Sequence, residues 1–264
     1  MLSKQNPRVK LLRRLLARHF REKEEKFLAE GVRFVEEALK SSFLVEMLVY
    51  CPEYNRSSRG QALLATASSR KIPTLEVEKA FFRELAETQT PQGILAVVKW
   101  PRYDLAGLRV SRPALLVIVD GVLDPGNLGT IVRSADAAGA GGVILLKGTV
   151  DILNSKALRA TMGSIFHLPV VQGCAVGEVK AFLKHYDIKA VAGVPRGGKP
   201  IFESELHVSC AIIAGSEARG PGEAVLAGAV ERVCIPMPGQ AESLNVAVST
   251  AIMLYEAIRQ RSLQ

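Results

Sequence analysis

From Ile235 to Ser249 the chain leaves an apolar stretch, enters the proline-broken bend Pro236-Met237-Pro238-Gly239, and opens a helix with the polar residues Glu242, Ser243 and Asn245. Two prolines and a glycine exclude a continuing strand or helix and leave main-chain N–H and C=O groups without ladder partners. Ser243 is placed to cap the helix that follows. Free main-chain donors and acceptors beside three polar side chains suit a small polar ligand, although the segment taken alone reads equally as an ordinary strand-to-helix loop. Two more polar, glycine-rich segments, Asp120–Thr130 and Gly215–Gly220, also follow apolar runs. Parallel strands would bring all three to one sheet edge, where open α/β sheets bind their ligands.

In the first of these segments Asn127 is the expected N-cap, and Leu128, Ile131, Val132, Ala135 and Ala138 form the buried stripe of a helix. Arg133 lies off that stripe. Its neighbours one turn back, Gly129 and Thr130, are small, so the guanidinium is free to lean towards the helix start. A solvated arginine on a helix flank fits the same spacing. Glu217 follows a buried strand and belongs to a loop, where it could pair with Arg133, either for chemistry or only to fix the loop. The last helix, Val246 to Leu254, is small and apolar nearly all round, which predicts burial, in part by a second subunit. Asn245, in its first turn, then needs hydrogen-bond partners from a loop or a ligand. His19, His167, His185 and His207 are scattered and no C-x-x-C pair occurs, so no metal site is expected. Walker, G-x-G-x-x-G and G-x-S-x-G spacings are absent.

These loops need a sheet to carry them. Leu115–Asp120, Val143–Leu146, Ile188–Val194, Cys210–Gly215 and Val230–Ile235 are wholly apolar runs separated by helix-length stretches, the pattern of a buried, mostly parallel sheet covered on both faces. Residues 27–98 alternate shorter runs with polar helical stretches and read as a smaller α/β domain. The pattern breaks at 99–111, the expected linker. The predicted organisation is residues 1–98 as a smaller α/β domain, 99–111 as linker and 112–264 as the larger α/β domain that carries the three polar loops.

The net charge of the 264-residue chain is +8, and residues 1–26 carry +6 of it, with nine Lys and Arg against Glu22, Glu24 and Glu25. With Asn6 as cap and Pro7 at the first helical position, Leu11, Leu12, Leu15, Leu16 and Phe20 make one face of a helix. Lys10, Arg13, Arg14, Arg18 and Arg21 make the other. A solvated face, a membrane-surface helix and an import signal fit this pattern too. We favour an RNA-binding face, because the helix leads directly into a strand-like piece with no apolar core or cleavage site between. No apolar stretch is long enough to span a bilayer, so no membrane partner is expected. Cys51, Cys174, Cys210 and Cys234 are far apart, as in a reduced, cytoplasmic protein.

The segments Asp124–Ala135, Gly215–Gly220 and Ile235–Ala247 resemble, in order and spacing, the three motifs of the SpoU/TrmH family, over about residues 112–260. Residues 6–98 look like the substrate-binding domain of its two-domain members, which is similar to a small RNA-binding ribosomal protein. The resemblance implies an S-adenosylmethionine-dependent methyltransferase acting on a ribose 2′-hydroxyl in RNA, ribosomal RNA ahead of tRNA. It implies a SPOUT α/β domain with a C-terminal trefoil knot and a homodimer. It assigns Asn127, Arg133, Glu217, Ser243 and Asn245 to the catalytic site, and Gly193, Val194, Gly215, Ile235, Met237, Ser243 and Leu244 to the cofactor. An unperturbed guanidinium titrates above about pH 12, so Arg133 suits orientation and charge stabilisation better than general-base work. Two other classes stay open, a non-catalytic RNA-binding protein that keeps the methyltransferase fold and a dinucleotide-dependent enzyme. The intact motif residues oppose the first and the missing glycine fingerprint opposes the second.

Overall fold

The computed structural model describes residues 6–227 and 230–264. In chain order the elements are α1 (Pro7–Leu15), α2 (Arg18–Glu24), β1 (Lys26–Glu30), α3 (Val32–Lys40), β2 (Val45–Tyr50), α4 (Ser58–Ser69), β3 (Thr74–Glu76), α5 (Lys79–Leu85) and β4 (Ile94–Lys99). They continue with β5 (Leu115–Asp120), α6 (Pro125–Ala137), β6 (Gly142–Leu146), α7 (Ser155–Ala160), β7 (Val170–Cys174), α8 (Val176–His185) and β8 (Lys189–Gly193). Last come β9 (Lys199–Pro200), β10 (Cys210–Gly215), α9 (Glu223–Leu226), β11 (Val230–Cys234) and α10 (Val246–Arg261). The chain forms two compact units, the first holding the chain up to Arg102 together with Leu153–Phe166, the second holding Tyr103–Ile152 and His167–Gln264.

The first unit carries a four-stranded sheet in the order β1-β4-β2-β3, antiparallel except for the β2–β3 pair. The segment Leu153–Phe166 joins it through aromatic packing, since the Phe166 ring lies 6.2 Å from Phe27, 5.1 Å from Phe34 and 5.2 Å from Phe43. Nothing in the periodicity marks that segment as separate from its flanks. In the stretch 99–111, expected as a linker, Trp100 and Leu108 are buried while Arg102, Asp104, Ala106, Gly107 and Arg109 are exposed. Trp100 donates its N–H to the Glu25 carbonyl at 2.7 Å, and Leu108 is buried with Tyr103, Leu105 and Val110 against the core of the second unit.

One long basic helix at the start is not what forms. Asn6 caps α1 as expected, accepting from Arg8 N–H at 2.9 Å, but the helix stops at Leu15 and α2 begins at Arg18. Arg21 does not sit on an exposed cationic face. It is buried, and its guanidinium donates to the Leu15 and Leu16 carbonyls at 3.2 and 2.8 Å, satisfying the frayed end of α1. Arg13, Arg14 and Arg18 are neutralised by Glu84, Glu24 and Glu22 at 2.7, 2.9 and 2.7 Å. Lys4 lies outside the described residues.

The second unit is built on seven strands in the order β7-β6-β5-β10-β8-β11-β9, all parallel. Leu116, Ile118, Ile144 and Ile213 form a core with Val179, Phe182 and Leu183 of α8, and the intervening Val117, Val119, Val143 and Ile212 are buried as well. The continuous apolar strands therefore serve two covered faces. Burial raises the Cys210 thiol, and burial together with Glu178 pushes Cys174 up to about 11, so both stay protonated and structural.

The order of the last strands is unusual. β8 and β9 are separated by only five residues, yet β11 lies between them, paired with both. The connection Val194–Gly198 therefore arches across β11. Val194 N–H donates to the Val233 carbonyl at 2.8 Å, and a Cβ on Gly198 would fall 2.7 Å from the Val233 carbonyl carbon, so only glycine fits the crossing.

Glu231 of β11 ties this region together, meeting Lys189 at 2.6 Å, Lys199 at 2.5 Å and the Ser204 hydroxyl at 2.6 Å. Burial alone would raise its pKa, but hydrogen bonds from Lys189, Lys199 and Ser204 outweigh that and bring it from 4.5 to about 2. A folded-state pKa below the unfolded value stabilises the fold above the unfolded pKa, and that contribution is lost as pH falls through the folded one. Glu231→Gln should thus be less stable than wild type at neutral pH, and the gap should close as pH falls from 4.5 towards 2. Denaturant unfolding across that range tests this, and a gap of constant size would exclude the ion pairs as its source.

Candidate active site

The three polar loops open at one edge, because β5, β10 and β11 run parallel and end at Asp120, Gly215 and Cys234. The N-cap of α6 is Asp124, not Asn127; the Asp124 carboxylate accepts from Asn127 N–H at 2.8 Å, with Pro125 at the first helical position. This leaves the Asn127 side chain free to face the neighbouring loops. Its Nδ2 donates to Glu217 Oε1 at 2.8 Å, and its Oδ1 accepts from Asn245 Nδ2 at 3.0 Å. Asn245, not Ser243, caps α10, its Oδ1 accepting from Ala247 and Val248 N–H at 2.9 and 3.3 Å. One residue from each loop thus joins a single chain, Glu217–Asn127–Asn245, in which every amide orientation is set by its partners.

Arg133 is exposed on α6, and among the described residues its guanidinium has no hydrogen bond or ion pair. Pairing with Glu217 does not occur, since that carboxylate is engaged by Asn127. The loop that carries Glu217 is held tightly. Ser216 and Gly220 exchange main-chain hydrogen bonds at 3.1 and 2.8 Å, Asp120 Oδ2 accepts from Gly222 N–H at 2.7 Å, and a Cβ on Gly215 would fall 2.0 Å from Pro221 N.

Between the arch, this loop and the start of α10 lies a cavity of about 570 Å³, within the usual range for a cofactor. Gly193, Val194, Gly215, Ile235, Met237, Ser243 and Leu244 all line it, as does Glu217. Arg133, Asn127 and Asn245 are not in its wall. Its surface suits S-adenosylmethionine. Ile213, Val246 and Met253 offer an apolar wall for a base, Gly193 and Gly215 put no side chain into the wall, and Glu217 and Glu242 favour a sulfonium cation. Among the described residues no group of three His, Cys, Asp or Glu could hold a metal.

Fold and site together define an α/β methyltransferase whose ligand sits in the loops at the carboxyl edge of a parallel sheet. Residues 114–255 match the SpoU rRNA Methylase family, and residues 6–96 match the MRM3-like substrate binding domain. The chain is 39% identical over 253 residues to the 23S rRNA (guanosine(2553)-2′-O)-methyltransferase RlmP of Bacillus subtilis, covering 96% of each chain. It is similar to the crystal structure of the SpoU methyltransferase AviRb from Streptomyces viridochromogenes, with TM-score 0.87, 31% identity and 98% of each chain covered. It is also similar to the AdoMet-bound rRNA methyltransferase from Sinorhizobium meliloti, with TM-score 0.86, 30% identity and 98% of this chain and 97% of that one covered. The chain belongs to the SpoU rRNA methylase family, and it is an S-adenosylmethionine-dependent RNA 2′-O-ribose methyltransferase.

Sequence reasoning passed over Asp120 and Asp124, although both stand at the start of the first polar loop, where a carboxylate that binds main-chain N–H groups belongs. It also passed over four residues of the cavity wall, Arg196 outside the motif segments, Arg219 inside the second of them but without an assigned role, and Thr250 and Met253 inside an apolar helix.

Because Asn245 both caps α10 and reaches Asn127, its two substitutions should part company. Asn245→Ala should lose about 0.5 to 2 kcal/mol of stability with the cap. Asn245→Asp keeps the capping oxygen but sets a carboxylate against Asn127 Oδ1, so it should unfold near the wild-type temperature while methylating poorly. Equal loss of stability in both variants would show that the cap is not the stabilising part.

Proposed function

We propose that this methyltransferase acts on ribosomal RNA, with residues 1–98 as the RNA substrate-binding domain, 99–111 as the linker and 112–264 as the methyl-transfer domain. The observation that carries the proposal is the chain Glu217–Asn127–Asn245 at the edge of a cavity that suits the cofactor. It is supported by relatives named as 23S rRNA 2′-O-methyltransferases. When bound, S-adenosylmethionine supplies a methyl group already activated on sulfur.

The remaining work falls to the protein. The target 2′-oxygen must be aligned with that methyl, and the charge developing on it must be met. Arg133 is the free cation on α6 for that purpose, while Asn127, Glu217 and Asn245 hold the three loops in register. Ser243, in the cavity wall, orients the ligand. No metal enters the reaction in this reading.

The RNA contact falls to Lys10, Arg13, Arg14 and Arg18 of the N-terminal helices, and Arg21 is withdrawn from it because it is buried. Lys10 is exposed and unpaired among the described residues. The three arginines would exchange glutamate partners for phosphate. A homodimer accords with α10, which leaves Val248, Ile252 and Tyr255 exposed by 49, 38 and 54% along one side. We read the passage of β11 beneath the arch as a trefoil knot. No helix of the described chain is long and apolar enough to cross a membrane, and a cytoplasmic location accords with a ribosomal substrate.

Mapping of 2′-O-methyl groups in ribosomal RNA from cells with and without the protein should show one ribose that loses its methyl. Unchanged ribosomal RNA would refute the substrate. Arg133→Ala should slow single-turnover methylation on the order of 100-fold, with S-adenosylmethionine affinity nearly unchanged, because a group that acts in the transition state alters rate rather than ground-state binding. Wild-type turnover in that variant would remove Arg133 from the chemistry.

A further inference from the structure

Four charged residues line the cavity, Glu217 and Glu242 on one side of the balance and Arg196 and Arg219 on the other. Arg196 comes from the arch over β11 and Arg219 from the loop after β10. Both are exposed, and among the described residues neither guanidinium has a hydrogen bond or ion pair. An unpaired arginine at a cavity wall is a cation kept for something that arrives from solution. Neither is left to wander on a loose loop. Arg219 is clamped by the Ser216–Gly220 bridge, its own N–H donating to Ser216 Oγ at 3.3 Å, and Arg196 is two residues from the close crossing at Gly198.

The reaction brings an anion to this place. A ribose 2′-hydroxyl sits on the carbon next to the one whose oxygen carries the 3′-phosphodiester, so any nucleotide presented for 2′-O-methylation delivers a phosphate with its reacting oxygen. At this cavity the phosphate would meet the carboxylates Glu217 and Glu242. Without compensation that encounter is repulsive, and two guanidinium groups offset it while supplying planar, paired donors suited to phosphate. We propose that Arg196 and Arg219 form a phosphate clamp that receives the 3′-phosphodiester of the target nucleotide and so positions its ribose against the cofactor. This rests on the reading of the protein as an RNA 2′-O-methyltransferase.

The test compares wild type with the double variant Arg196→Ala/Arg219→Ala and with Arg219→Lys, using a 23S ribosomal RNA transcript and, separately, S-adenosylmethionine. The double variant should bind S-adenosylmethionine within about twofold of wild type by calorimetry, which also reports a folded cavity. Its slope of log affinity for the transcript against log salt should be shallower by roughly 0.7 to 0.9 in total, because the two arginines serve one phosphodiester. Arg219→Lys, which keeps the charge, should keep the slope. A wild-type slope in the double variant overturns the clamp while leaving the RNA function intact. A large loss of cofactor affinity with an unchanged slope assigns the arginines to the cofactor's carboxylate and also overturns it. Wild-type protein that itself fails to bind or methylate the transcript overturns the functional reading and the clamp with it.

Discussion

The close crossing of main chain at Gly198 and Val233 is the constraint on which the ligand site depends. β11 can lie between β8 and β9 only if their five-residue connection passes over it, and the connection passes so near that a methyl group at Gly198 would overlap the Val233 backbone. The arch thereby becomes one wall of the cavity, with Val194 fixed by its hydrogen bond to Val233 and Arg196 carried between them. The Val194 N–H and the Val233 carbonyl hold each other there, so the course of the arch does not depend on side-chain rotamers. That rigidity suits a ligand bound for one act of alignment.

The polar residues of the three loops act on each other before they act on any substrate. Glu217, Asn127 and Asn245 are too distant in sequence to be related by any local rule, yet each hydrogen bond between them spans two loops. An asparagine is suited to the middle of such a chain because its amide donates on one side and accepts on the other. An aspartate there would present like charge to Glu217, and a glutamine would be longer by a methylene. Arg133, exposed on α6, stands outside that chain.

Strand placement in the second unit was largely legible, because a parallel sheet covered on both faces writes itself as unbroken apolar runs. Leu115–Asp120 and Cys210–Gly215 form over the expected residues. β7 was not foreseen, since Val170–Cys174 contains glutamine and glycine, and two-residue β9 has no periodicity to show. Motif residues were legible as types at a spacing, but their contacts were not. Spacing puts the caps at Asn127 and Ser243, whereas Asp124 and Asn245 hold them, each accepting from main-chain N–H groups of the first turn. Arg21 was misplaced for a similar reason. Helical periodicity put it on the polar face, but a helix that breaks at Leu16 turns that face inward and gives the guanidinium two carbonyls to satisfy.

The aromatic packing of Phe166 against Phe27, Phe34 and Phe43 means that the two units are not consecutive along the chain. The polypeptide leaves the first unit after Arg102, lays down β5, α6 and β6 of the second, returns through Leu153–Phe166, and only then completes the sheet. During synthesis the first unit therefore cannot close its aromatic cluster when its own sheet has emerged. It must wait for Phe166, by which time five of the seven strands of the second unit's sheet are still to be made. Assembly of the two units is in this sense interleaved rather than sequential, and neither is a segment that a single cut in the chain would release intact.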